Sequence, residues 1–235
     1  MTHPGRLLAR RLALVVMVSS MLGLLLAGAA FPLVGSVGVV VGSGARSFSE
    51  LPRELIELPL PQRSRILAAD GSVLAAVYFN EDRVMVPLER MPLHLQHAIV
   101  AIEDARFREH SGVDLRGLTR ALVRNRQAGG VEEGGSTITQ QYVKTVLLSA
   151  AKTPEARRRA TERSVVRKVR EARYAISLEE RYTKDEILER YLNIAYFGQG
   201  VYGVGTAAQR YFSKPVEQVN VMEAALLAGL VQAPE

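Results

Sequence analysis

The chain has 235 residues with 30 lysines and arginines against 24 aspartates and glutamates, a formal net charge of +6, and neither cysteine nor tryptophan. The missing thiols exclude a disulfide framework, a thiolate metal site and a thiol nucleophile, while the length allows one sizeable domain with accessories. By charge alone, the basic balance favours nucleic acid, anionic lipid or a phosphorylated substrate as partner.

Arg6, Arg10 and Arg11 precede a stretch from Leu12 to Ala45 that carries no charge. Such a run exceeds the ~20 residues that cross a bilayer. A cleaved signal peptide is the alternative, with Ala27, Gly28, Ala29 and Ala30 as its small-residue cleavage region. A secretory apolar region is only ~7–15 residues long, however, and this one continues through FPLVGSVGVVVG. The expected organisation is a cytoplasmic tail (1–11), one transmembrane anchor (12–41), a juxtamembrane linker (42–62) rich in proline and charge, and a domain from 63 to 235. The arginines stay inside, so the domain lies outside the plasma membrane. Nucleic acid is then excluded as a partner, and the basic surface faces lipid or a lipid-linked anion.

Asp70-Gly71, between two apolar runs, predicts a small β-hairpin. From Leu88 helical spacing takes over: Leu95, Ile99, Ile102 and Arg106 fall on one stripe, and His110-Ser111-Gly112 supplies a stop. DLRGLTRALVRNRQ forms the next helix, ended by Gly129-Gly130, and VEEGGS is a loop. Ser136 or Thr137 caps the helix ITQQYVKTVLLSA. A long charged helix is expected from Pro154 to Arg181. Asp185 opens another, with Ile187, Leu188, Tyr191, Leu192 and Ala195 on one stripe, and after a glycine-rich turn Val221 to Val231 reads as a buried helix. There is no internal repeat, and the part after the anchor is nearly all helix.

Several stretches carry chemistry or imitate it. In AIVAIEDARFREHSG, Glu103 follows an apolar run where an ionised carboxylate is costly without compensation; read alone, it sits where the helix surfaces. GQGVYGVG has G-x-G-x-x-G spacing, with Glu223 downstream, but a helix precedes it where a dinucleotide site needs a strand. SAAK (149–152) matches S-x-x-K without its companion S-D-N and K-T-G elements. The run Arg157, Arg158, Arg159, Arg163, Arg167, Lys168, Arg170, Arg173 reads as a solvated face, a membrane-facing patch or a phosphate grip. An Arg167–Glu171 pair at i,i+4 serves the structural and substrate readings equally. EEGGSTITQQYVK places Ser136, Thr137, Gln141 and Lys144 at a helix start that suits an anion as well as an ordinary cap.

EDARFREHSGVD (103–114), GGSTITQQYVK (134–144), RKVREARYAISLE (167–179), KDEILERYLNIAYFGQGVYGV (184–204) and EAALLAGLVQAPE (223–235) occur in this order. Together they closely resemble the peptidoglycan glycosyltransferase domain (glycosyltransferase family 51) of class A penicillin-binding proteins and monofunctional transglycosylases. The resemblance implies a mainly α, lysozyme-like domain with a small β-hairpin at its start, preceded by one transmembrane helix. It implies a single-pass protein of the plasma (inner) membrane with its catalytic domain extracytoplasmic. The implied activity is polymerisation of glycan strands from lipid II, the undecaprenyl-pyrophosphate-linked disaccharide-pentapeptide, with inversion and release of undecaprenyl pyrophosphate. Glu103 matches the catalytic glutamate and Glu171 the second one, which supports the departing pyrophosphate through a divalent cation (Mg2+ or Mn2+) if one is used. Lys144 and Arg167 match phosphate-holding positions, Ser136 and Gln141 match polar contacts of the donor site, and Lys168 is a further candidate there. Asp104, Phe107, His110 and Gly112 read as framing.

Two departures stand out. Thr145 replaces the usual asparagine, and the sequence stops at Glu235, inside or just after the fifth stretch, so the domain is expected to be incomplete at its C-terminus and no transpeptidase domain is included. Implied partners are lipid II, the growing lipid-linked glycan, the membrane and proteins of a cell-wall synthesis complex. The alternatives are a membrane-bound lipid-binding or scaffold module of the same fold with impaired chemistry, and a glycan hydrolase. The hydrolase gives no reason for phosphate-holding residues at Lys144 and Arg167.

Overall fold

The computed structural model describes residues 15–17, 19–21, 48, 51–78, 81–128, 134–162 and 164–233. It divides into two units, 1–51 and 52–235. In the first, residues 15–17 and 19–21 are helical. The expected anchor otherwise lies outside the described residues, as do Arg6, Arg10, Arg11 and Arg163. No helix among the described residues is long and apolar enough to cross a membrane.

The second unit opens with the expected hairpin. Strands β1 (Ser64–Leu67) and β2 (Val73–Val77) pair antiparallel, with Ser64 opposite Val77 and a register shift between Ile66 and Leu67. Asp70 Oδ1 closes the turn by accepting from the Ser72 amide at 2.9 Å and hydroxyl at 2.7 Å. Gly71, at φ +84°, takes the left-handed position that a side chain disfavours. Two short strands, β3 (Asp82–Arg83) and β4 (Val201–Tyr202), pair in parallel across the chain.

Among the described residues, eight α-helices follow the hairpin: α1 (Leu93–Glu103), α2 (Leu115–Ala128), α3 (Ile138–Ala150), α4 (Pro154–Thr161), α5 (Val165–Glu179), α6 (Lys184–Ile194), α7 (Val204–Phe212) and α8 (Val221–Gln232). Local chemistry marks their starts. Thr137, Thr183 and Asn220 each form a reciprocal capping box with the residue three positions on, and Thr153 and Ser164 cap α4 and α5. The core lies where α3 packs on α5 and α6, and where α1 packs on α8. Ile99, Ile138, Val143, Leu178 and Leu192 have no accessible surface. The α6 stripe is buried along its whole length, as its spacing predicts.

Three expected helices differ. The first ends at Glu103, not near His110, because Asp104 turns out of helical geometry (φ −161°, ψ 74°) to bond elsewhere. Its stripe therefore buries Leu95 and Ile99 but leaves Ile102 partly exposed, with Arg106 beyond the helix. The charged helix from 154 to 181 is two helices, broken at Glu162, where ψ reaches 134°, and restarted by the Ser164 cap. In α8, Ala224, Leu227 and Ala228 are buried, whereas Val221, Met222 and Leu226 are exposed. GQGVYGVG follows helix α6, and Gly198, Gly200 and Gly203 all adopt positive φ as turn residues. Glu223, its apparent ribose contact, is spent on the Asn220 capping box and on an ion pair with Lys214.

Candidate active site

Glu103 is the last residue of α1 and lines a cavity of about 570 Å3. Its Oε2 accepts a 2.7 Å hydrogen bond from Gln141 Nε2 on α3, and its Oε1 is buried with no hydrogen-bond partner among the described residues. Burial pushes this carboxyl above its ordinary range; the Gln141 bond works against the shift and the neighbouring charge of Asp104 adds to it. The result is a carboxylate with one oxygen held and the other buried without a hydrogen-bond partner among the described residues.

A group of cations faces the same cavity. Glu171 on α5 is almost wholly buried, at 1 % exposure. Its Oε1 is bound by Arg167 and its Oε2 lies 3.7 Å from Lys168 Nζ. Lys168 also donates to Ser136 Oγ at 2.5 Å. Burial holds the Lys168 ammonium below its usual range; Glu171 opposes this, and the charges of Arg167 and Lys144 reinforce it. Lys144 is exposed on the cavity wall, with no ion pair among the described residues. Arg167 and Lys168 thus flank one buried carboxylate and Lys144 shares their cavity, a surplus of positive charge that suits phosphate oxygens. Arg167 is therefore both partner of Glu171 and part of the cavity wall.

A second carboxylate builds the frame. Asp104, 7 % exposed, accepts from the Ile138 amide at the start of α3 at 3.1 Å and sits 3.0 Å from His110 Nε2. This is a tertiary hydrogen-bonding role, spanning 34 positions, at a helix N-terminus, where negative charge is favoured. Thr137 Oγ1 donates to the Gly112 carbonyl at 2.7 Å while capping α3. Gly112, at φ +83°, lies so close to α5 that a Cβ there would come within 2.7 Å of the Ala175 carbonyl carbon. Phe107 is fully buried beneath this loop, edge-on to His110. These contacts fix Glu103, Ser136 and Gln141 relative to α5.

All the sequence-derived candidates line this one cavity: Glu103 and Glu171, Ser136, Gln141, Lys144, Arg167 and Lys168. Gln141 spends its amide on Glu103, and Thr145 bonds back to the Gln141 carbonyl at 2.9 Å within its own helix. Tyr191 was legible only as part of an apolar stripe; its hydroxyl in fact donates to Gln141 Oε1 at 3.1 Å. The available signal was its type, since a phenol buried among leucines must find a partner. For a divalent cation, both oxygens of Glu171 already face cations, and no group of three acidic or histidine side chains among the described residues could hold a metal. The residues present do not fit a protein-held cation, whose remaining ligands would have to be substrate phosphates.

Comparison with known proteins gives a concordant result. A family model described as Transglycosylase matches residues 70–235. Penicillin-binding protein 1A of Mycolicibacterium smegmatis is 41 % identical over 179 residues, covering 76 % of this chain and 22 % of that protein. Penicillin-binding protein 1A of Escherichia coli is 42 % identical over 179 residues, 76 % of this chain and 19 % of that one. Penicillin-binding protein 4 of Bacillus subtilis is 35 % identical over 227 residues, 94 % of this chain and 35 % of that one. The chain thus spans about a fifth to a third of the length of these curated relatives.

Proposed function

Because the chain belongs to the transglycosylase family, we propose that it polymerises peptidoglycan glycan strands from lipid II, with Glu103 as general base. The observation that carries this reading is the half-satisfied carboxylate of Glu103 sharing one cavity with Lys144, Arg167 and Lys168. The acceptor sugar's 4-hydroxyl gives its proton to the Glu103 carboxylate as its oxygen bonds to the donor's anomeric carbon. The bond from that carbon to the pyrophosphate oxygen breaks on the opposite face, so the centre inverts and undecaprenyl pyrophosphate leaves. An apolar surround that raises the carboxyl makes it a stronger base. Lys144, Arg167 and Lys168 take up charge on the departing pyrophosphate, while Glu171 keeps Arg167 and Lys168 in place. The uncharged run from Leu12 to Ala45 behind Arg6, Arg10 and Arg11 supports the reading that this happens at the outer face of the plasma membrane, where a lipid-linked substrate resides.

Incubation with labelled lipid-linked disaccharide-pentapeptide, followed by gel separation of the products, tests the proposal. The wild-type chain yields a ladder of polymers, and Glu103→Gln loses roughly 10²–10⁴-fold in rate while still binding the substrate, as expected for removal of a positioned base. Near-normal polymer from Glu103→Gln overturns the base assignment. Substrate binding without product from the wild-type chain makes it a binding module.

A further inference from the structure

Three helices meet at one side-chain amide. Tyr191 on α6, only 3 % exposed, donates to Gln141 Oε1 at 3.1 Å, and Gln141 on α3 donates from Nε2 to Glu103 Oε2 at 2.7 Å. We propose that Tyr191 is a positioning residue for Glu103, acting through the amide of Gln141. This rests on the reading of Glu103 as the base.

The argument turns on the two ends of an amide. Turned one way, Gln141 offers Glu103 a donor and stabilises the ionised carboxylate; turned the other, it offers an acceptor that only a protonated carboxyl can satisfy. The two orientations fill the same space, so packing does not choose between them. A phenol that donates to Oε1 does choose, because the flipped amide would face it with N–H groups and leave its own proton unused. Burial, with the nearby charges of Glu103 and Asp104, keeps the Tyr191 hydroxyl protonated far above neutral pH, so the donor is always present. Tyr191 therefore favours the ionised form of Glu103 by holding the Gln141 amide with its N–H toward Oε2.

The other charged groups near Glu103 are unaltered by removing one phenolic oxygen. Asp104 follows it in sequence, Arg106 and Asp114 pair with each other on the loop, and Arg120 lines the cavity from α2. Lys144 faces it from α3, and Arg167, Lys168 and Glu171 from α5.

The experiment measures kcat and KM against pH for polymerisation of lipid-linked disaccharide by the full chain in detergent micelles. Tyr191→Phe should lower kcat near neutrality by roughly threefold to tenfold, the loss of one hydrogen bond, with KM little changed. The acidic limb of its profile should move to higher pH, so that the loss shrinks in alkali. Adding Tyr191→Phe to Gln141→Ala should cost nothing further, because the intermediary is already gone. A pH-independent loss, or an equal loss in both backgrounds, overturns the proposal. Should Tyr191→Phe not fold, Gln141→Ala alone must shift the acidic limb upward, and an unshifted limb overturns the proposal. An active Glu103→Gln would remove the base assignment itself; an inactive Glu103→Gln with an unshifted Tyr191→Phe profile removes only the relay.

Discussion

At Glu103 the demands of folding and of chemistry oppose each other, and the sign of the conflict is measurable. Its carboxyl is raised by burial in the folded chain, so between the unfolded and folded titrations the unfolded state holds fewer protons. Stability therefore falls as pH rises through that window, and the cost is complete above it. Glu103→Gln keeps an oxygen to accept from Gln141 and carries no charge. Thermal unfolding should find it as stable as wild type in acid and more stable near neutrality; a variant less stable at neutral pH would contradict the burial argument. The cations need a different choice of variant. Glu171 is too deeply buried for Arg167→Ala to be informative, since removing one partner of a buried pair costs about 3–5 kcal/mol whatever Arg167 does for substrate. Arg167→Lys keeps the charge and loses the planar fork. Arg167→Lys and Lys144→Ala should each reduce polymerisation by the equivalent of about 1.5–3 kcal/mol, whereas Arg158→Ala, on exposed α4, should leave it nearly unchanged. Equal losses from all three, relieved together by salt, would make the basic run a generic anionic-surface patch.

Among the elements, helix starts were easier to read than helix ends. Thr137, Thr153 and Thr183 stand before periodic apolar or charged runs, and each caps as its type suggests. The ends at Glu103 and Thr161 carry no glycine and no following proline. They are set by what comes afterwards: Asp104 leaves α1 because the start of α3 and His110 take its carboxylate, a tertiary fact that no local pattern contains. Ser164 has a capping side chain too, but the charge-rich stretch on both sides of it reads as one continuous helix. Gly112 shows the same dependence, since its need for glycine comes from positive φ together with the approach of α5. Gly112→Ala should destabilise the domain by about 2–4 kcal/mol through backbone strain and displacement of α5. Gly134→Ala, where a Cβ meets nothing within 4 Å, should change little. Thermal unfolding of the pair checks this, and equal midpoints would mean that α5 yields without cost.

For the whole molecule, the catalytic candidates were legible because their motifs lie in order along the chain, but their connections were not. That Gln141 would turn to Glu103, and Tyr191 to Gln141, depends on how α1, α3 and α6 are stacked, with the partners 38 and 50 positions apart. Contacts of greater span hold the stack: Asn193 brackets the backbone of Val86 across 107 residues, and His94 reaches the Val219 carbonyl across 125. Glu57 reaches furthest. It accepts from Tyr142, from Tyr182 at 3.3 Å and from Arg190 at 2.8 Å, which lie 85, 125 and 133 residues later. At about 5–20 residues per second of synthesis, Glu57 emerges roughly 4–17 s before Tyr142 and 7–27 s before Arg190. Until Tyr142 is made none of these three partners exists, and the set is complete only with Arg190, so the segment from Pro52 to Gln62 is the first part of this unit to be made and among the last to be fastened down.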